Sequence, residues 1–340
     1  MKQIDWVVDV AVATVWTAPT SPRAIDEQAL TNPVDIKGWL ERMTVEERLD
    51  LCNSNRVQTQ VLYGQQVTAI GEQGEWLEVV IPEQASKKDG RGYPGWIPQR
   101  QLRPLTEALR AELFPVDSGR VERETVVVTE PTAFLYKEKR GDDGDPERGV
   151  ATKSEEVAAG EHKIGESLEI SFQTRLPLIE AGEEWVQVAT PHGVQFLRQH
   201  DVFIASGVRQ LPGTTGADVL NAGKAFLGLP YLWGGMSAFG YDCSGFVYAM
   251  HRAIGVTIPR DADDQSTGGT AIAREALQPG DLVFFAYESG KGAVHHVGMY
   301  AGDDHMIHSP DTGNCVELIP FSTYKNIHEF CGARRYWEEG

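Results

Sequence analysis

At 340 residues, with 41% apolar and 24% charged side chains, the chain has room for two or three packed domains and the make-up of an ordinary globular protein. Its formal net charge of −18 argues against a nucleic-acid partner, which calls for a basic face, and against adsorption to an anionic membrane or wall polymer. Four cysteines (Cys52, Cys243, Cys315 and Cys331) without a CxxC pair make neither a disulfide framework nor a zinc ribbon, so reduced thiols are expected.

At the N-terminus, Asp5 and Asp9 interrupt the only early apolar run. No signal-peptide core is read there, and no run reaches transmembrane length. The expected location is cytoplasmic, or extracytoplasmic if a signal segment has been removed from the natural chain. Val7 to Trp16 reads as one strand, closed by Thr17-Ala18-Pro19. Asp35 to Cys52 is a helical interlude in which Thr44 and Glu47 form a capping-box signature. Short strands at Thr59 to Leu62, Gln66 to Ile70, Trp76 to Ile81 and Gly95 to Pro98 then predict a small β-barrel.

The pattern repeats at an offset of roughly a hundred residues. Val126 to Tyr136 echoes the opening strand, Glu184 to Val188 echoes Glu75 to Val79, and Gly193 to Arg198 echoes Gly95 to Arg100. A tandem of two barrels follows, the second without the helical insert. The expected boundaries are 1–106 for the first barrel, 107–124 for a charged linker with one short helix, 125–208 for the second barrel and 209–340 for a third domain. Both barrels resemble bacterial SH3-like modules, on the strength of the Glu-Trp-x-x-Val strand and its Gly-Trp-Ile successor. In such modules Trp76 and Trp185 are core residues rather than ligand platforms.

The connector Leu211 to Gly216 leads into the third domain, where Asp218 is placed to cap a helix over Val219 to Leu227. A Gly-rich stretch, Tyr231-Leu232-Trp233-Gly234-Gly235, then Asp242-Cys243-Ser244-Gly245, delivers Cys243 to the start of a helically spaced apolar run (Phe246, Val247, Met250, Ile254). Unpaired N–H groups at a helix start favour a thiolate. Downstream come Pro259-Arg260-Asp261 in a loop, a strand over Leu282 to Phe285, and two strands ending in His296 and His308 around a Gly302-Asp303-Asp304 turn. Helices first and strands afterwards predict an α+β domain with an antiparallel sheet.

His296 and His308 are equidistant from Gly302, so a symmetric hairpin places them directly opposite, with Cβ atoms about 5 Å apart, and turns His295 to the other face. Cys243 as nucleophile, His296 as base and His308 as orienter is the chemistry this pattern suits. A Cys/His/His zinc site is the competing arrangement, disfavoured because its ligands lack short-range pairing. No cofactor is called for.

Asp-Cys-Ser-Gly-Phe after Tyr-x-Trp-Gly-Gly, with Pro-Arg-Asp-Ala-x-x-Gln, Pro-Gly-Asp-Leu-Val-Phe-Phe, His-Val-Gly-Met-Tyr and Ile-His-Ser-Pro, resembles the NlpC family of papain-like cysteine peptidases over Leu229 to Pro310. With two SH3-like barrels in front, the chain is similar to the γ-D-glutamyl-L-diamino acid endopeptidases that degrade cell-wall peptides. That resemblance implies Cys243, His296 and His308 as the catalytic set and a peptidoglycan-derived peptide with a free N-terminal L-Ala as substrate. It also implies cleavage of the γ-D-Glu–diamino acid bond, with diaminopimelate or lysine on the far side; a monomer is expected, and recycling of wall peptides is the setting that the acidic surface and the absence of a signal segment suit. Asp242, beside the nucleophile, would be an acceptor for the substrate ammonium, with Ser244, Tyr231 and Trp233 lining the cleft and Tyr93 and Gln58 contributed by the first barrel to the same pocket. Gln58 stands where the family carries a glutamate. Arg260 is either a contact for a substrate carboxylate or a structural partner of Asp261 or Asp281. A hydrolase of intact wall stems and a non-catalytic wall-binding protein are the alternatives.

Overall fold

The structure is a computed structural model and describes residues 4–114, 124–139, 167–206 and 214–337. The first barrel contains β1 (Ile4–Val8), β2 (Val12–Trp16), β3 (Val57–Leu62), β4 (Gln66–Gln73), β5 (Trp76–Ile81), β6 (Tyr93–Pro98) and β7 (Leu102–Pro104). They form one antiparallel sheet in the order β3-β2-β6-β5-β4-β1-β7. The run from Val7 to Trp16, expected as one strand, is therefore two. β1 pairs with β4 and β7 while β2 pairs with β3 and β6, so the chain must turn between them at Asp9 to Ala11. Asp9, the one charge inside that apolar run, marks the corner, and its N–H donates to the Gln101 carbonyl.

The helical interlude is present as α1 (Ile36–Arg42) and α2 (Val45–Asn53), the latter started by the Thr44/Glu47 capping box. Trp39, Leu40 and Leu51 pack on Trp16 and Val57, and the same cluster takes in Leu232 and Phe239 from the third domain. Burying each such side chain contributes about 1.5–3 kcal/mol, so the insert ties the first barrel to the loop that precedes Cys243.

The second barrel contains β8 (Thr125–Val128), β9 (Thr132–Tyr136), β10 (Ser167–Ser171), β11 (Arg175–Ala181), β12 (Trp185–Thr190), β13 (Gly193–Arg198) and β14 (Val202–Ala205). Its order, β10-β9-β13-β12-β11-β8-β14, is the first barrel's order shifted by seven strands, so the duplication read from the sequence extends to topology. Trp185 is buried under the Arg198 guanidinium, 4.0 Å from the ring centre, whereas Trp76 is only half-buried at the edge of its cluster. Between the barrels, α3 (Glu107–Leu113) supplies the expected short helix, and the rest of that linker, 115–123, lies outside the described residues. So do 140–166, where the second barrel would carry or lack an insert, and residues 211–213 of the connector.

The third domain opens with α4 (Gly216–Lys224). Its cap is Thr215 rather than Asp218, which is the third helical residue and closes a capping box back onto Thr215. A short hairpin, β15 (Met236–Ser237) and β16 (Gly240–Tyr241), precedes α5 (Cys243–Ala253). The sheet follows as β17 (Thr270–Ile272), β18 (Leu282–Ala286), β19 (Val294–Gly302), β20 (His305–His308), β21 (Glu317–Pro320) and β22 (Phe330–Arg335), antiparallel in the order β17-β22-β18-β19-β20-β21. Phe246, Val247 and Met250 of α5 pack with Leu282, Phe284, Val297 and Ile307 on one face of this sheet. Phe285, Met306, Phe321 and Tyr324 close the other. Two SH3-like sheets followed by an α+β domain is the architecture that the sequence leads one to expect.

Candidate active site

Cys243 is the first residue of α5, and its N-cap Asp242 accepts from the Gly245 N–H at 2.6 Å. The helix start does not yield a resting thiolate. Burial pushes the Cys243 thiol up to about 12, and the Asp242 carboxylate pushes in the same direction. The N–H groups of Val297 and Ser244 and the charge of Arg260 oppose them without offsetting them. Burial is the main reason, and capping adds to it: Asp242 places a full negative charge where an uncapped helix would present only a partial positive one.

His296 lies on β19 beside Val297, whose N–H points at the sulfur. Its Nε2 is 2.8 Å from His308 Nδ1, and His308 Nε2 is 3.2 Å from Glu317 Oε1. The proton positions follow from these contacts. Glu317 accepts, so His308 carries its proton on Nε2 and accepts at Nδ1. His296 then donates from Nε2, leaving the lone pair of Nδ1 free as a base. Burial holds both imidazoles neutral, His308 down at about 4 and His296 well below its ordinary value. Both nitrogens of His308 are thus engaged, Nδ1 with His296 and Nε2 with Glu317, and it offers no free nitrogen as a third zinc ligand.

The expected symmetric pairing of the two histidines is corrected. A bulge at the turn, where Gly302 pairs with His305, shifts the register so that Met299 faces Ile307. His296 and His308 therefore share a face but sit diagonally, with ring centres 5.0 Å apart and planes inclined at 72°. Gly298 makes this possible, because a Cβ there would lie 3.3 Å from His308 Cβ and overlap Met306 Sδ. His295, expected on the opposite face, is the extra residue of a second bulge between β18 and β19 and joins the cleft wall. Its Nε2 is 2.9 Å from Glu329 and its ring stacks on Tyr287.

The cleft, about 190 Å³, is lined by Cys243, His295, His296, Tyr231, Trp233, Cys52 and Tyr324 among others. It thus brings Tyr231 and Trp233 beside Cys243. Asp242 and Ser244 are differently employed. Arg260, 1% exposed, reaches Asp242 through Nη2 at 2.6 Å and Nη1 at 3.2 Å, and donates from Nη1 to Ser244 Oγ at 2.8 Å. Asp242 also accepts from the Gly234 N–H at 3.0 Å. Its carboxylate is saturated by the chain's own donors and is not an open acceptor for a substrate ammonium. Arg260, in turn, is not free for a substrate carboxylate. Its structural partner is Asp242, with Asp261 4.0 Å away, while Asp281 is bound by Arg335.

Strand β3 of the first barrel runs against this loop. Val57 O accepts from Trp233 Nε1 at 3.1 Å, Thr59 Oγ1 from Arg260 Nε at 2.9 Å, and Gln60 Oε1 from Met236 N at 3.0 Å. Tyr93 and Gln58 are brought together with Asp261, whose two carboxylate oxygens each lie 3.0 Å from the Tyr93 hydroxyl. Asp261 and Glu317 are the polar residues that sequence reasoning passed over. Asp261 was visible only as Arg260's neighbour, and Glu317 needs the pairing of β20 with β21, which sets it opposite His308.

Residues 228–335 match the model of the NlpC/P60 family, and residues 159–204 match that of the YKFC SH3b2 domain. A γ-D-glutamyl-L-lysine dipeptidyl-peptidase of Bacillus subtilis is 44% identical over 329 residues, 97% of this chain and 98% of that protein. Its namesake in Bacillus cereus is 42% identical over 330 residues, 97% of this chain and 90% of that protein. The crystal structure of an NlpC/P60 family protein from Bacillus cereus superposes with a TM-score of 0.84 at 40% identity, covering 98% of this chain and 100% of that one. With two barrels, a papain-like third domain and relatives alike from end to end, the chain belongs to the NlpC/P60 family of cysteine peptidases.

Proposed function

We propose that this protein hydrolyses the bond between γ-D-Glu and the diamino acid, lysine or diaminopimelate, in peptidoglycan peptides that carry a free N-terminal L-Ala, releasing L-Ala-D-Glu. The observation that carries the chemistry is the relay from Glu317 through His308 to His296, which leaves a neutral base beside a neutral, buried thiol. The names of the two full-length relatives support the bond and the substrate class.

In this reading the Cys243 proton moves to His296 Nδ1 as sulfur attacks the γ-carbonyl carbon. The resulting imidazolium is stabilised by His308 and Glu317, which accept along the relay. Charge on the carbonyl oxygen develops next to the start of α5, where the Cys243 N–H has no intrahelical acceptor and the Gly245 N–H is already held by Asp242. The imidazolium then protonates the departing amine, leaving a thioester. Water attacks the thioester, giving its proton to His296, and the released sulfur is reprotonated as the γ-carboxylate departs.

The substrate pool in this reading is soluble wall fragments, because intact stems are acylated at L-Ala. The test compares hydrolysis of L-Ala-γ-D-Glu-L-Lys and its diaminopimelate analogue with their N-acetylated forms, with Cys243→Ala as control. Cleavage of the free-amine peptides alone, abolished in the variant, is the expected result. Equal cleavage of the acetylated peptides would move the substrate to intact wall, and activity surviving in the variant would refute the mechanism.

A further inference from the structure

The ammonium of Lys88 occupies a pocket of oxygen acceptors at the boundary between the first barrel and the third domain. Its Nζ donates to Gln58 Oε1 at 3.0 Å and to the Tyr93 hydroxyl, and lies 3.2 Å from Asp261 Oδ2. It also stands 4.2 Å from the centre of the Tyr93 ring. Each wall is itself fixed. Gln58 Nε2 donates to Thr17 Oγ1 at 2.7 Å and to Asn55 Oδ1 at 3.2 Å, so the side-chain carbonyl is what faces inward. Tyr93, 2% exposed, is held by its bonds to Asp261. Acceptors, one carboxylate and an aromatic face make an ammonium receptor, and in this chain the receptor holds an ammonium of its own.

The pocket is joined to the loop that carries Cys243 through the sequence neighbours of its walls. Asp261 follows Arg260, which clamps both residues flanking Cys243, and Gln58 follows Val57, the acceptor for Trp233 of the cleft wall. We propose that Lys88 is a specificity-determining residue that holds the seat of the substrate's N-terminal ammonium, so that a free-amine peptide binds by displacing the lysine side chain into solvent. This rests on the function proposed above. With Gln58 neutral, Asp261 is the one carboxylate touching Nζ among the described residues, and Lys88 already balances it. A second ammonium beside the first would meet like-charge repulsion, so the two exchange rather than bind together. The Lys88 side chain is 39% exposed and its ion pair is correspondingly weak, which makes it a mild competitor. An N-acylated peptide carries no charge with which to make the exchange. The neighbouring Lys87 is turned to Asp263 and Asp264 and takes no part.

The experiment measures KM and kcat for L-Ala-γ-D-Glu-L-Lys and its N-acetylated form with the wild type, Lys88→Met, Lys88→Arg and Lys87→Met. Lys88→Met is expected to lower KM for the free-amine peptide about three- to fivefold with kcat unchanged. Lys88→Arg, which keeps the charge, and Lys87→Met should stay near the wild type. An unchanged or higher KM in Lys88→Met overturns the proposal, as does an equal fall for the acetylated peptide or for Lys87→Met. A wild type that cleaves neither peptide, or both alike, refutes the substrate reading and this proposal with it. A free-amine preference with a KM insensitive to Lys88 refutes this proposal alone.

Discussion

Replacing Arg260 with methionine should be among the most damaging single changes in the chain. Both partners of the pair are buried, at 1% and 9% side-chain exposure, and the guanidinium holds the carboxylate at 2.6 and 3.2 Å while also bonding Ser244 and Thr59. At such a separation the attraction is about 5 kcal/mol for an effective dielectric constant near 20. Desolvation of both ions offsets much of that in the intact pair, but removing one partner leaves the other buried and unbalanced, which costs about 3–5 kcal/mol. Activity should fall as well, because the Arg260 charge lowers the Cys243 pKa while that of Asp242 raises it. The assay is urea denaturation of the wild type, Arg260→Met, Asp242→Asn and the double variant, with kcat measured on each. The double variant keeps an N-cap and buries no charge, so it should recover at least half of the loss. A loss under about 1 kcal/mol in Arg260→Met, or strict additivity in the double variant, would refute this account of the pair.

Other outcomes follow from the same geometry. With His308 held down at about 4 and His296 well below its ordinary value, kcat/KM should hold as pH falls through 6.5 and drop only near 4, so an acid limb centred between 6 and 7 would contradict the neutral relay. Glu317 is 48% exposed and 3.2 Å from His308, so Glu317→Gln, which keeps an acceptor, should cost less than about tenfold in kcat, whereas His308→Ala should cost about a hundredfold or more. Equal losses would place the orienting role on Glu317. Gly298→Ala should push His308 and Met306 aside and lower kcat together with stability, by about 1–3 kcal/mol, as read by thermal denaturation alongside turnover. His251 is buried on α5 with its folded pKa depressed to about 4, so its contribution is complete above pH 6.5 and is lost as pH falls toward 4. That loss amounts to about 3 kcal/mol, and a His251→Leu variant should show a correspondingly shallower fall in urea midpoint between pH 7 and 4.5.

Much of this was legible in the chain because it is locally encoded. The Thr44/Glu47 capping box, the apolar spacing after Cys243 and the alternating strands of the barrels each follow from interactions within a few residues. The repeated Glu-Trp strand announced a duplication that the shared strand order carries through both barrels. Cys243, His296 and His308 could be singled out because each sits at the edge of a periodic run where a reactive side chain has no packing reason to be.

What the sequence could not decide were matters of register and of contacts between distant segments. Counting outward from Gly302 gives a symmetric histidine pair, but a single bulge, set by the Gly302-Asp303-Asp304 turn, moved the pairing and put Gly298 opposite His308. The thiol's resting state depended on burial and on the capping charge of Asp242, neither of which spacing reports. Residues 58, 88, 93 and 261 meet only because β3 and the β5–β6 loop of one barrel pack on the loop after α5. Local pattern therefore determined which elements form and which side chains can react. Tertiary packing decided which charges are neutralised, which proton sits on which nitrogen, and that the Lys88 ammonium meets Gln58, Tyr93 and Asp261, because those depend on distances between residues up to two hundred positions apart.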